Sequence, residues 1–378
     1  MKILYITEDN FSSVHKDLCL AIIEANPDIN ITLLTITRKD LERRSIDNSS
    51  DKKGYYHLQI QGHWNKLLYK YIFPYKIDKK WDAIKRHINL SSFDLLYAST
   101  LFTDGAIALK ANREFNIPYI ISIRATDVNL YLKRMPYLYK LAYNILHNSK
   151  NIICISNSIK SNLMKSNFFR IAHPDILNKI QVIPNGINNF WHINRTKKNR
   201  NKNCSKFLYI GAFDNNKNVL LVIDAFKKAQ KKYPTIKLSL VGEKGTQEKE
   251  IKKICNRDNS IIYKGPIYDR HKIINEIREN DAFIMVSREE TFGLVYIESL
   301  SQGLPIIYTR SQGVDGMFRT RNLGESCNPR NVNDISNAIQ KMIQNYSNYD
   351  NIDNDLERFY WPSIGKKIAT IINESVSK

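Results

Sequence analysis

Hydrophobic positions in this chain fall into short runs separated by longer stretches of helical spacing. In the first half the runs occupy residues 2–7, 31–37, 56–60, 95–98, 119–123, 152–156 and 181–184. The second half repeats the scheme at 207–211, 238–241, 261–263, 282–287 and 306–309. Short apolar runs bounded by turn residues read as buried strands, and the 3.6-residue periodicity between them reads as helices. Strands that alternate with helices pair in parallel, because a parallel connection needs a crossover long enough to hold a helix. The pattern predicts an α/β protein with two doubly wound domains, whose ligands bind at the carboxyl ends of the strands.

Between the halves, the stretch 189–204 is polar, basic and without periodicity, as a surface linker is. It separates a first domain, 1–188, from a second, 205–358. No repeat of 20–50 residues is apparent.

A length of 378 residues suits two domains with a core each, and a hydrophobic content of 43% is ordinary for a soluble protein. No apolar run approaches the length that spans a bilayer. The strand-like start, Met1 to Ile6, is cut off by Glu8 and Asp9, unlike a signal peptide. Five scattered cysteines show no metal-type spacing, which points to a reducing cytosol with neither a disulfide framework nor a zinc site. The formal net charge of +20 calls for an anionic partner: nucleic acid, anionic lipid or a phosphorylated substrate. A Lys- and Asn-rich composition accounts for part of that excess by itself.

Candidate chemistry concentrates in one segment. The apolar run 282–286 ends at Ser287, and Glu290-Thr291-Phe292-Gly293-Leu294-Val295-Tyr296-Ile297-Glu298 follows with a helical pattern that Gly303, Leu304 and Pro305 close. A helix N-terminus offers unpaired backbone N–H groups and a positive dipole end, and a glycine there lets an anion approach closely. Glu290 stands at the mouth of that site, and Glu298 about 8 Å further along the helix. A nucleotide sugar has matching proportions, with hexose hydroxyls, a diphosphate and a ribose diol in line. The dipole alone also favours Glu at a helix start, and a later Glu is often a solvated helix residue.

Residues 287–298 resemble the signature of retaining, nucleotide-sugar-dependent glycosyltransferases with two Rossmann-like domains facing across a cleft, the GT-B type (group 1, family 4-like). The resemblance gives Glu290 the donor sugar, Glu298 the ribose, and the backbone of Phe292, Gly293 and Leu294 the diphosphate. Val182-Ile183-Pro184-Asn185-Gly186-Ile187 looks like the turn that ends the first domain in this family. Phe359-Tyr360-Trp361 and the helical residues after it, 360–378, look like the closing helix that returns to the first domain. Asp353-Asn354-Asp355 resembles the metal-binding Asp-x-Asp of the other large glycosyltransferase fold, but it follows no buried strand and reads as a solvated loop. No metal and no cofactor are expected, the nucleotide sugar being a co-substrate.

After the first strand of the second domain, Gly211 and Lys217 fit the family's diphosphate-binding loop, and an ammonium suits a phosphate. Ala212 or Phe213 stands where the family has Arg, so Arg288 or Arg310 is expected to substitute. By the same resemblance Gly265 and Ile267 border the nucleotide base, although turn glycines alone also explain that segment. In the first domain Arg124 stands where the family commonly has His; it supplies positive charge to a leaving phosphate and is no base at neutral pH. Asp127 is a candidate to position acceptor or sugar, or an ordinary helix N-cap. The loop 8–15 replaces a glycine-rich turn and is a place for an acceptor, while His15 reads as a helix-surface or core residue.

Residues 64–86 and 131–150 mix basic and aromatic side chains. They suit either an anionic membrane surface or a solvated basic face over a Tyr-lined core. The expectation from the resemblance is a cytoplasmic enzyme, peripheral on the inner face of the membrane. It moves a hexosyl group with retention onto a glycan or lipid-linked acceptor, in O-antigen or capsule synthesis. A glycoside hydrolase also uses two carboxylates, but Glu290 and Glu298 share one loop–helix unit and do not flank a bond. A nucleic-acid-binding protein, or a nucleotide-sugar binder without transferase activity, is the alternative. Its basic residues are dispersed, with no recognised binding module, and nucleic acid is not expected as a partner.

Overall fold

The computed structural model describes residues 1–8, 13–38, 53–62, 64–170, 174–200, 203–318, 322–352 and 354–377. Residues 9–12 of the loop after the first strand, residues 201–202 of the expected linker and Asp353 of the acidic triplet lie outside these. The chain divides into two compact units, Met1–Gly186 with Trp361–Lys378, and Ile187–Tyr360.

In the first unit seven parallel strands are ordered β3-β2-β1-β4-β5-β6-β7. They are β1 (Lys2–Thr7), β2 (Asn30–Arg38), β3 (Tyr55–Gly62), β4 (Leu95–Ala98), β5 (Tyr119–Ile123), β6 (Asn151–Cys154) and β7 (Ile180–Val182). Every residue of β4 and β5 is buried, as in a sheet covered by helices on both faces. The direction of winding reverses between β1 and β4, whose carboxyl ends carry Glu8 and Ser99. The helix Trp361–Val376 completes this unit. Its Ile364, Ile368 and Ile372 share a core with Leu18, Cys19 and Ile22 of the helix Val14–Ala25. The two backbones approach closely at Gly365, where a Cβ would come within 2.2 Å of the Ala21 carbonyl oxygen.

The second unit holds six parallel strands in the order β10-β9-β8-β11-β12-β13. These are β8 (Lys206–Ile210), β9 (Lys237–Val241), β10 (Ile261–Gly265), β11 (Ala282–Ile284), β12 (Ile306–Thr309) and β13 (Gly324–Cys327). Here the winding reverses between β8 and β11. The loops leaving those two neighbours are therefore placed side by side, at the switch point where open α/β sheets bind ligands.

Twelve strands stand where the hydrophobic runs predict them. The thirteenth, β13, has the sequence Gly-Glu-Ser-Cys and three half-buried residues at a sheet edge, so no apolar run marks it. Its register is set by pairing to β12. The stretch expected as a linker is corrected by the structure: residues 189–200 are packed into the second unit. Asn189–Ile193 is helical with Trp191 buried. Arg200 is buried too, and donates to the Tyr349 and Gly303 carbonyls at 2.8 and 2.7 Å. Polar residues there satisfy backbone carbonyls rather than water, which composition alone does not show. All five cysteines are free thiols, four of them buried. Among the described residues no helix is long and apolar enough to cross a membrane.

Candidate functional site

The β8 loop turns sharply after Ile210. Phe213 points into the core, its ring 6.2 Å from that of Tyr209 and 6.0 Å from that of Tyr263, which leaves no room for a cation at this position. Asp214 accepts the Lys217 amide at 2.7 Å. Asn218 ties this loop to the next strand by donating to the Val286 carbonyl at 3.1 Å and the Pro329 carbonyl at 2.7 Å. The neighbouring Asn216 accepts the Glu289 N–H and donates to the Glu289 carbonyl, both at 3.0 Å. These bonds set the two loops in register and bring Lys217 Nζ to 2.8 Å from Glu290 Oε2.

Glu290 is held from several sides. Ser287 Oγ donates to Oε2 at 3.1 Å and the Thr291 amide to Oε1 at 3.1 Å. Its own N–H is taken by Gln312 Oε1 at 2.7 Å, while Gln312 Nε2 donates to the Arg288 carbonyl at 2.9 Å. The helix Leu294–Ser301 then begins at Gly293, whose φ of 77° lies in the left-handed region, and no side chain caps this end. A Cβ on Gly293 would come 2.4 Å from the Tyr296 ring. Gly313 (φ 55°) packs against the same loop, where a Cβ would meet the Phe292 carbonyl at 2.9 Å and Glu290 Cγ at 3.1 Å. Phe292 is buried against Phe359. An uncapped helix end beside a paired ammonium and carboxylate can take a phosphate on the amides and a hydroxyl on the acid.

Glu298 lies on the same helix, half-buried. Burial pushes its carboxyl up to about 7, against the pull of the Arg270 guanidinium and of a hydrogen bond from Trp191. Gly265 (φ 73°) has no heavy atom within 4 Å of its Cβ position, and Ile267 beyond it is half-buried. Gly211 carries its amide to the Val241 carbonyl at 3.0 Å, which fixes the turn out of β8. Both arginines expected to substitute have partners within the protein. Arg310 pairs with Asp334 at 3.1 Å, and Arg288 Nε donates to Asn218 Oδ1 at 3.3 Å.

In the first unit, Arg124 follows β5 and its Nε donates to the Ser99 carbonyl at 2.9 Å. Asp127, read as a candidate to contact acceptor or sugar, is enclosed. It accepts the Arg124 amide at 2.9 Å and the Phe102 amide at 3.3 Å. Burial raises its carboxyl to about 6 while those backbone bonds act the other way. In this structure it positions Arg124. His15 is a core residue, with Nδ1 2.8 Å from Tyr5 Oη. At the end of β1, Glu8 pairs with Lys76 and with the buried Lys80, and the two lysines overcome its burial to pull it down to about 2.

Two family matches divide the chain at nearly the same place as the structure does. Residues 30–189 match glycosyltransferase family 4, and residues 192–358 match the glycosyl transferases group 1. The chain is built of these two glycosyltransferase domains on the GT-B fold. An uncharacterized glycosyltransferase of Methanocaldococcus jannaschii is 27% identical over 265 residues, which cover 69% of this chain and 68% of that one. Sucrose-phosphate synthase from Thermosynechococcus elongatus superposes with a TM-score of 0.72 at 18% identity, covering 99% of this chain and 98% of its own. HepE of Anabaena, solved with UDP, gives 0.68 at 15% identity over 99% of this chain and 100% of its own.

In this glycosyltransferase the structure brings Lys217, Glu290 and Gly293 together with Glu298 on the same helix, and the residues that hold them carry weaker sequence signals. Gln312 and Gly313 follow β12 directly, so their place at the carboxyl edge of the sheet was a usable signal. Trp191 lies inside the polar stretch 189–204, and Arg270 opens the helix Arg270–Glu279, where no sequence motif marks either of them.

Proposed function

We propose that this glycosyltransferase moves a hexosyl group from a nucleoside-diphosphate sugar to a glycan or lipid-linked acceptor, with retention at the anomeric carbon. The Lys217–Glu290 pair at the uncapped start of the helix Leu294–Ser301 carries this reading. A uridine diphosphate donor is favoured by the likeness to HepE, whose structure holds UDP. Glu290 takes the donor sugar's hydroxyls, Lys217 and the amides of Phe292, Gly293 and Leu294 take the diphosphate, and Glu298 takes the ribose diol. Gly211 shapes the phosphate loop, and Gly265 and Ile267 border the base.

In the reaction the bond between the anomeric carbon and the phosphate oxygen breaks with its electron pair on the phosphate. The acceptor oxygen bonds to the same face of that carbon, and its proton passes to the departing phosphate. The main demand is stabilising the charge that develops on the leaving group. Lys217 and the helix end are the groups of the second unit assigned to it, and Arg124, held by Asp127, is the cation proposed from the first unit. Such chemistry suits the assembly of a surface polysaccharide such as O-antigen or capsule.

A thermal-shift screen across UDP-, GDP-, ADP- and CMP-sugars tests the reading. One nucleotide class should raise the melting temperature of the wild type and leave Glu298→Ala unmoved. Shifts with none of the four, or an undiminished shift in the variant, would overturn it. Binding of RNA or DNA without any nucleotide-sugar response would favour the nucleic-acid alternative.

A further inference from the structure

We propose that Trp191 is a positioning residue for ribose recognition, whose indole N–H fixes the Glu298 carboxylate in the orientation that takes the ribose diol. This role presupposes that Glu298 takes the ribose, as proposed above, and the two can fail separately. Residues 188–196 run as a strap across two helices of the second unit. At its start, Asn188 Oδ1 accepts the Phe190 amide at 3.0 Å and Arg270 Nη1 at 3.3 Å. His271, next to Arg270, sets its ring edge to face against Phe190, with 5.0 Å between centroids. Further on, Arg278 Nη2 donates to the Asn194 carbonyl at 2.6 Å while its Nε donates to Gln302 Oε1 at 3.0 Å. The Thr196 amide closes the strap on the Ser301 carbonyl at 2.9 Å. Between these ties the helix Asn189–Ile193 packs against the helix Leu294–Ser301, which carries Glu298.

Trp191 is the residue of this strap that reaches Glu298. It is buried, with its ring 5.7 Å from that of Phe190 and nearly perpendicular to it. An indole N–H can only donate, and a buried one needs an acceptor. Most side-chain hydrogen bonds in proteins end on backbone or water; this one ends on the Glu298 carboxylate. A carboxylate has about four lone-pair sites, so one N–H steadies its plane and leaves room for two hydroxyls. Held still beforehand, the acid loses little rotamer freedom when a diol arrives. Charge supports the same role. Burial works against the ionised acid, while the Arg270 guanidinium and the Trp191 bond both work for it. An ionised and oriented carboxylate is the stronger acceptor for sugar hydroxyls. Trp191 itself has no need to touch the donor.

Calorimetry with UDP, GDP and ADP, each beside its 2′-deoxy form, tests this role. Wild type should prefer one of the ribonucleotides over its deoxy form on the order of tenfold or more, since the deoxy form lacks a hydroxyl for a charged acceptor. Glu298→Gln should lose most of that preference. Trp191→Phe keeps a ring in place but removes the N–H. It should cut the preference about threefold or more, and bind the deoxy form within about twofold of wild type. A merely structural tryptophan would weaken both forms alike. Should Trp191→Phe fold poorly, the wild type carries a second readout. One of the indole N–H resonances from the chain's four tryptophans should move as Glu298 titrates between pH 6 and pH 8, and stay still in Glu298→Gln. A preference undiminished in Trp191→Phe, tighter ribonucleotide binding in that variant, or no indole signal that follows Glu298 would each overturn the role of Trp191. No preference in the wild type, or one that Glu298→Gln retains, would overturn the ribose assignment itself and the role of Trp191 with it.

Discussion

Lys217 Nζ and Glu290 Oε2 stand 2.8 Å apart, on loops that leave adjacent strands β8 and β11. The groups assigned to the phosphate and to the sugar are thus each other's partners, and each holds the other in place. The pair is largely shielded, with side-chain exposures of 28% and 9%, so salt screens it less than a surface pair.

Removing one member should therefore affect two measurements differently. Glu290→Gln should keep nucleotide affinity within a few-fold and lower kcat on the order of a hundredfold or more, as expected when a contact to the reacting sugar is lost. Lys217→Ala should instead weaken nucleoside diphosphate itself, about tenfold or more, because a phosphate loses its cation. Calorimetry with UDP and with UDP-sugar separates the two, and equal losses for both variants would refute the division of roles.

Glu298 predicts a pH dependence. Burial, opposed by Arg270 and by the Trp191 hydrogen bond, leaves its carboxyl at about 7, above the ordinary value of 4.5. The folded state thus holds this proton more tightly than the unfolded chain does. Its contribution to stability is full below the unfolded value and declines as pH rises through 7. Hydroxyls of a ribose diol bind best to the ionised acid. Donor affinity should fall on the order of five- to tenfold between pH 8 and pH 6, and Glu298→Gln should be weaker and flat. A wild-type profile that is level across this range would contradict the assignment.

Gly293→Ala should lose stability and donor together. A left-handed backbone costs a residue with a Cβ roughly 1–2 kcal/mol, and this Cβ would also meet the Tyr296 ring at 2.4 Å. The melting temperature should drop by several degrees, and the nucleotide-induced shift should vanish. A variant that melts and binds like wild type would show that the helix start does not depend on this turn.

Asp127 should behave as a positioning residue. Asp127→Ala leaves the Arg124 and Phe102 amides without their acceptor, at a cost of about 1–3 kcal/mol for each buried group. Turnover should fall through kcat with KM for the donor nearly unchanged, and Asp127→Asn should recover part of it by keeping one acceptor oxygen. Were KM for the acceptor to rise while kcat held, the side chain would be contacting substrate directly.

Much of this architecture was legible in the residues. Parallel strands buried on both faces leave continuous apolar runs, so β4, β5 and β8 announce themselves, while β13 is polar and owes its conformation to a neighbour. At the site, Lys217, Glu290 and Glu298 were readable because local motifs place them. Trp191 and Arg270 were not, since each arrives from a distant stretch, while Gln312 is marked only by its place shortly after β12. Phe213 shows the opposite case, a departure visible in the sequence whose burial became clear only in the fold.

The helix Trp361–Val376 has a consequence for biosynthesis. Its isoleucines fill a core whose other wall emerges from the ribosome more than three hundred residues earlier. The amino-terminal half must wait, incomplete, until residues 361–376 have been made, whereas the intervening half has every strand it needs beforehand. The inserted unit is therefore complete before the unit that flanks it, and a chain cut near residue 360 would cripple the part made first.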